Sequence, residues 1–125
     1  MIRIRPEQEQ ALLASLSSSF IADLAAYIHD VHPAIAGTSD DVRLRRRIAS
    51  VLVRCRALGF TSQNAMASLI VSTLDLGPRF LDIEEVRALL AREGMSDEAK
   101  LAALRRLLSG WSVEALRRAA AGPWE

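Results

Sequence analysis

The stretch Ala65–Leu74 most constrains what this chain can fold into: only Ser68, Ser72 and Thr73 within it are not plainly apolar. Gly59 ends whatever precedes it, Thr61 and Ser62 are N-cap candidates, and Asp75-Leu76-Gly77-Pro78 stops the run. A helix that is apolar nearly all round belongs in the middle of a fold, with amphipathic neighbours around it. A central helix over about residues 62–75 is therefore expected. Phe60 and Phe80, which bracket it, are expected to anchor its ends in the core, Phe60 as a hydrophobic staple.

Upstream, Ile2 and Ile4 alternate with Arg3 and Arg5, a pattern for a short extended arm over residues 1–5. Pro6 suits the first turn of a helix, and Glu7 and Glu9 suit the positive end of its dipole. Leu13, Leu16, Phe20, Leu24, Tyr27 and Val31 recur every three or four positions, which predicts one apolar stripe on a helix of about seven turns. His32-Pro33 ends it, and 34–39 reads as a loop. Thr38 or Ser39 is the expected cap of a second helix, with Asp40 and Asp41 in its first turn and Leu44, Ile48, Val51, Leu52, Cys55 and Leu58 on its buried side.

After the central helix, Asp82 is the expected cap of a helix carrying Ile83, Val86, Leu89 and Leu90. Ser96 opens another, with Asp97 and Glu98 at its dipole and Leu101, Leu104, Leu107 and Leu108 inward. Ser112 opens the last, with Val113 and Leu116 inward. The tail 119–125 is expected to fray. The fold class is thus all-α: a single-domain bundle of five to six helices over residues 1–125. A chain of 125 residues suits one domain without a metal or disulfide staple.

Sixteen basic and fifteen acidic side chains leave a net charge of +1, so there is no global field for nucleic acid or an anionic membrane, and neither is an expected partner. The single cysteine excludes an internal disulfide and a cysteine-based zinc cluster, and fits a reducing compartment. The opening MIRIRPEQEQ has no apolar run of a secretory signal, and no stretch approaches the ~20 apolar residues that span a bilayer. A cytoplasmic location is expected.

Candidate chemistry is sparse. His29 and His32, spaced i, i+3, have a separation that can place two imidazoles on one metal, but a polar helix end explains them as well. Ser15, Ser17, Ser18 and Ser19 lack the Gly-x-Ser-x-Gly setting of an exposed nucleophile. Cys55, on the apolar side of its helix, reads as a small buried hydrophobe. Arg43, Arg45, Arg46 and Arg47 form the densest basic run; without Asn, Gln or aromatic side chains on that helix to read bases, a solvated face or salt bridges to an acidic partner fits better than DNA. No phosphate loop, dinucleotide fingerprint or paired-carboxylate site is present. No catalytic residue, cofactor, metal or small-molecule ligand is expected, and the chain is read as non-enzymatic.

Four signposts carry a family resemblance: Ile4-Arg5-Pro6-Glu7-Gln8, a long first helix ending in His32-Pro33, the turn Leu58-Gly59-Phe60-Thr61, and Leu76-Gly77-Pro78-Arg79-Phe80-Leu81-Asp82. In this order they resemble a family of small helical proteins encoded in bacterial type VI secretion clusters, beside spike or tip proteins, adaptors and toxic effectors. Members show Ile-Arg-x-Glu-Gln, a Phe-x-Pro-like or His-Pro helix end, a Tyr-Gly-Ile-Thr turn and an apolar helix closing in Gly-x-x-Phe-Asp. This chain departs in its Leu-Gly-Phe-Thr turn and in Leu81, inserted between Phe80 and Asp82. The resemblance covers about the first two-thirds.

It implies an accessory factor in effector loading: a chaperone, co-chaperone or adaptor partner whose ligand is another protein. The alternatives are an immunity or regulatory protein that binds one toxin or regulator, and a small helical nucleic-acid-binding protein. Side chains the core pattern leaves over, Ile2, Arg3, Ile4, Arg43, Arg47, Arg79 and Trp124, are the expected partner contacts.

Overall fold

The structure is a computed structural model that describes residues 6–37 and 40–124, with side chains described from residue 18 onward. The chain is all-α: α1 Pro6–Val31, α2 Pro33–Ala36, α3 Asp41–Ala57, α4 Gln63–Leu76, a 3-10 turn Phe80–Asp82, α5 Glu84–Leu90, α6 Asp97–Leu108 and α7 Val113–Ala120. Six of these are the expected helices. The seventh, the single turn α2, replaces the expected loop after Pro33, which sits at its first position. Two compact units divide the chain, Met1–Ala49 and Ser50–Glu125, the division falling inside α3.

In the first unit α1 packs on α2. The buried side of α1 is Leu24, Ala25 and Ile28. This corrects the expected stripe: Tyr27 and Val31 are about half exposed, at 49% and 50%. Leu24 is buried as expected, but the buried face then turns to Ala25 and Ile28, each one residue, about 100°, on from an expected position. Leu13 and Leu16 lie outside the described side chains. On α3, which crosses the division, the buried residues are Leu44, Ile48, Val51, Leu52 and Cys55, as expected, while Leu58, expected with them, is half-buried just past the helix end. Asp40 caps this helix, its Oδ1 accepting the Arg43 N–H at 2.8 Å; Thr38 and Ser39 lie outside the described residues, as do the 1–5 arm and the side chains of Glu7 and Glu9.

In the second unit α4 packs against α6, α7 and the 3-10 turn. It buries Ala65, Met66, Leu69, Ile70 and Thr73. The Thr73 hydroxyl is satisfied within the helix by the Leu69 carbonyl, 2.8 Å away. Ser62, Ser96 and Ser112 cap α4, α6 and α7 by accepting the N–H groups of Ala65, Ala99 and Ala115. Phe60 and Phe80 are both buried, as their anchoring role requires.

Three local expectations are overturned. Asp82 does not cap α5; Ile83 holds that position without a side-chain bond, and the Asp82 carboxylate instead accepts from Arg54. Val113 is 58% exposed, and Leu116 with Ala120 forms the inward face of α7. Ala119 and Ala120, assigned by sequence to a fraying tail, belong to α7. The Ala120 carbonyl accepts the Arg79 N–H at 2.9 Å, and a Cβ at Gly122 would fall 2.9 Å from Arg79 Nε. Pro123 and the Trp124 ring follow, the latter half-buried.

Candidate functional site

The most densely connected polar site surrounds the turn between α3 and α4. Residues Cys55–Phe60 close α3 with a Schellman motif: the Phe60 N–H reaches the Cys55 carbonyl at 3.1 Å and the Gly59 N–H the Arg56 carbonyl at 3.0 Å. Gly59 takes φ +91°, which only glycine adopts without strain. Two buried side chains from the first turn of α6 reach this turn from 35 or more residues away in sequence. Asp97 Oδ2 accepts the N–H groups of Thr61 at 3.0 Å and Ser62 at 2.7 Å. Lys100 Nζ donates to the Leu58 carbonyl at 2.9 Å and lies 5.2 Å above the Phe60 ring centre.

The charges are matched to the backbone. A carboxylate meets free N–H groups at the positive start of α4, and an ammonium meets a carbonyl at the negative end of α3. The sequence placed Asp97 at the dipole of its own helix and attached no role to Lys100. No local signal marks them, because the groups they satisfy belong to another helix pair. Their work is architectural: together they use the buried polar capacity of the turn on backbone groups.

The other candidate side chains are similarly committed. Cys55 is fully buried, and burial pushes its thiol up to about 12 despite the lowering influence of the Arg54 cation and a backbone hydrogen bond. That is the inert thiol expected from its apolar position. His29 Nε2 faces Asp41 Oδ1 at 3.8 Å, whereas the His32 ring meets Tyr27 edge-on with ring centres 5.6 Å apart. Among the described residues no group of three or more His, Cys, Asp or Glu side chains is arranged to hold a metal. Ser18 and Ser19 are exposed on α1; Ser15 and Ser17 lie outside the described side chains.

The residues expected to touch a partner are distributed. Ile2, Arg3 and Ile4 lie outside the described residues. Arg43 is exposed and Arg47 half-buried, both on α3. Arg79 is exposed at the 3-10 turn, beside Gly122, which brings it into the neighbourhood of the Trp124 tail. The arginine run is partly neutralised, Arg45 Nε pairing with Asp41 at 2.7 Å. Arg54 bonds both Asp82 and the Pro78 carbonyl.

What the sequence pattern hid is apolar. Val42 and Val53 are 58% and 67% exposed, on the same outward side of α3 as Arg46 and Arg56. Their eleven-residue separation, about three turns, is the signal that could have found them. No described helix is long and apolar enough to cross a membrane. Comparison with protein-family models, curated proteins and solved structures finds no match.

Proposed function

We propose that this protein is a non-enzymatic, cytoplasmic accessory factor that binds another protein during effector loading in type VI secretion, as chaperone, co-chaperone or adaptor partner. The observation that carries a binding role is the contrast between inside and outside. Asp97, Lys100 and Thr73, the buried polar side chains, hold backbone groups of the fold. Outside, Tyr27, Val31, Val42, Val53 and Val113 present large apolar side chains on helices, 49–67% exposed. Helix faces of this kind are what another protein's helix or groove engages.

The secretion context comes from the sequence signposts alone. Its support from the fold is indirect: the two turns that carry half of those signposts contain the buried Phe60 and Phe80. Such turns define a shared architecture more than they define a contact surface. The test is a secretion assay in the native host. Deleting the gene should abolish export of the co-encoded effector while its synthesis continues. Undiminished export would overturn the proposal.

A further inference from the structure

We propose that the outward side of α3 is a docking surface for an acidic amphipathic helix of a partner protein. The inference rests on the protein-binding role above and names the chemistry of the partner. Helix α3 carries six arginines against one aspartate, a charge of +5, in a chain whose total is +1, so the remaining residues sum to −4. Three of the six, Arg45, Arg46 and Arg56, lie toward the outward side of the helix, whereas Arg43, Arg47 and Arg54 fall on another flank; Arg45 and Arg54 also pair with Asp41 and Asp82.

At 3.6 residues per turn, Val42, Ala49 and Val53 fall within about 40° of one another, a line running the length of α3 opposite Leu44, Val51 and Cys55. Arg46 flanks this line on one side, Arg45 and Arg56 on the other. Val53 is the most exposed large hydrophobic side chain among the described residues, and Arg46 and Arg56 are exposed with it. An aliphatic seam with cationic margins is complementary to a helix whose own aliphatic seam is bordered by Asp and Glu.

Two other anionic partners fit less well. A bilayer surface is usually engaged by Trp, Phe or Leu, and this seam offers only Val and Ala, with the reverse of the helix committed to the core. A nucleic acid would set phosphates against valines, and α3 has no Asn or Gln to read base edges.

The test is fluorescence anisotropy with the full chain and a labelled helical peptide carrying leucines at every third and fourth position between glutamates. The expected result is binding at least about tenfold tighter than to the same peptide with lysines for glutamates, about 1.4 kcal/mol, and weakening as salt rises. Val53→Asp and the double variant Arg46→Glu/Arg56→Glu should each weaken it about tenfold or more, whereas Ala119→Asp, at an exposed position of α7, should leave it unchanged. Circular dichroism checks that the variants fold; if Val53→Asp does not, the charge variant decides.

Equal affinity for the two peptides overturns the proposal, as does indifference to both α3 variants. So does binding of phosphatidylglycerol vesicles or of a 20-base-pair DNA duplex that the α3 variants abolish while the acidic peptide fails to bind. The outcomes are separable from those of the secretion assay. Peptide docking with normal effector export leaves the surface standing and removes the secretion role; lost export without peptide docking does the reverse.

Discussion

Asp97 and Lys100, three residues apart on α6, hold opposite ends of the same turn: Asp97 takes the N–H groups of Thr61 and Ser62 at the entry to α4, and Lys100 takes the Leu58 carbonyl at the end of α3. Neither is solvated, at 9% and 5% exposure, so each replaces water at a helix end that burial would otherwise leave unsatisfied. One turn of α6 thereby ties the end of α3 to the start of α4.

Removing either residue tests this directly. Asp97→Ala should cost about 2 kcal/mol, the range for hydrogen bonds to a charged group, seen as a lower urea midpoint with unchanged m-value. Lys100→Met, which keeps the stem over Phe60, should cost about 1 kcal/mol, and Lys100→Ala more, because packing is lost as well. The double variant Asp97→Ala/Lys100→Met should fall short of the sum by about 0.5 kcal/mol or more, since both act on one turn. Strict additivity would mean that the two helix ends are held independently.

The Cys55 thiol predicts an alkaline loss of stability. Its folded value stands at about 12 against an ordinary 9.0. Between those values the unfolded chain releases a proton that the folded chain keeps, so stability falls as pH rises. The slope from this one group approaches 1.4 kcal/mol per pH unit at most, by the usual linkage. Comparing wild type with Cys55→Ala isolates it from the lysine and arginine titrations: the difference between the two should be flat below pH 8 and should shift against wild type from pH 9 upward, a range set by the linkage above. In the native state at pH 8 the thiol should also resist alkylation until the chain is unfolded.

Two glycines separate backbone strain from collision. Gly77 and Gly94 both have positive φ, +142° and +77°. A Cβ at Gly94 meets nothing within 4 Å, whereas at Gly77 it would fall 2.4 Å from the Ala120 carbonyl oxygen. Gly94→Ala should therefore cost only the strain, about 1 kcal/mol. Gly77→Ala should cost clearly more, because it also displaces the end of α7 and the Arg79–Ala120 hydrogen bond. Thermal melts of the two variants measure the difference; similar losses would show that the α7 end is free to move.

These sites mark where the sequence was legible and where it was not. The inner side of α3, the three serine caps and the apolar side of α5 follow from periodicity and local capping chemistry, both of which act within four residues. Tyr27 and Val31 show the limit of periodicity: Leu24 is buried as its spacing predicts, but the buried face turns toward Ala25 and Ile28 and leaves Tyr27 and Val31 half exposed. Asp82, Asp97 and Lys100 show the limit of local chemistry. Each looks like an ordinary first-turn or surface charge, yet each is bound to a group on a distant segment. Val31 and Val113 were misplaced for the opposite reason, because an apolar residue in a helical pattern is assumed to face inward, whereas Val42 and Val53 simply fall outside the buried side read for α3.

Gripping another protein through helix faces, α3 foremost, is the role proposed above for this chain. The decisive measurement is co-expression of tagged chain with the products of its neighbouring genes, followed by quantitative mass spectrometry of the purified complex. Wild type should retain one such product in near-stoichiometric amount, and Val53→Asp with Arg46→Glu/Arg56→Glu should lose it while remaining helical by circular dichroism. Equal recovery by wild type and the α3 variants, or no neighbouring product retained by either, would contradict the account.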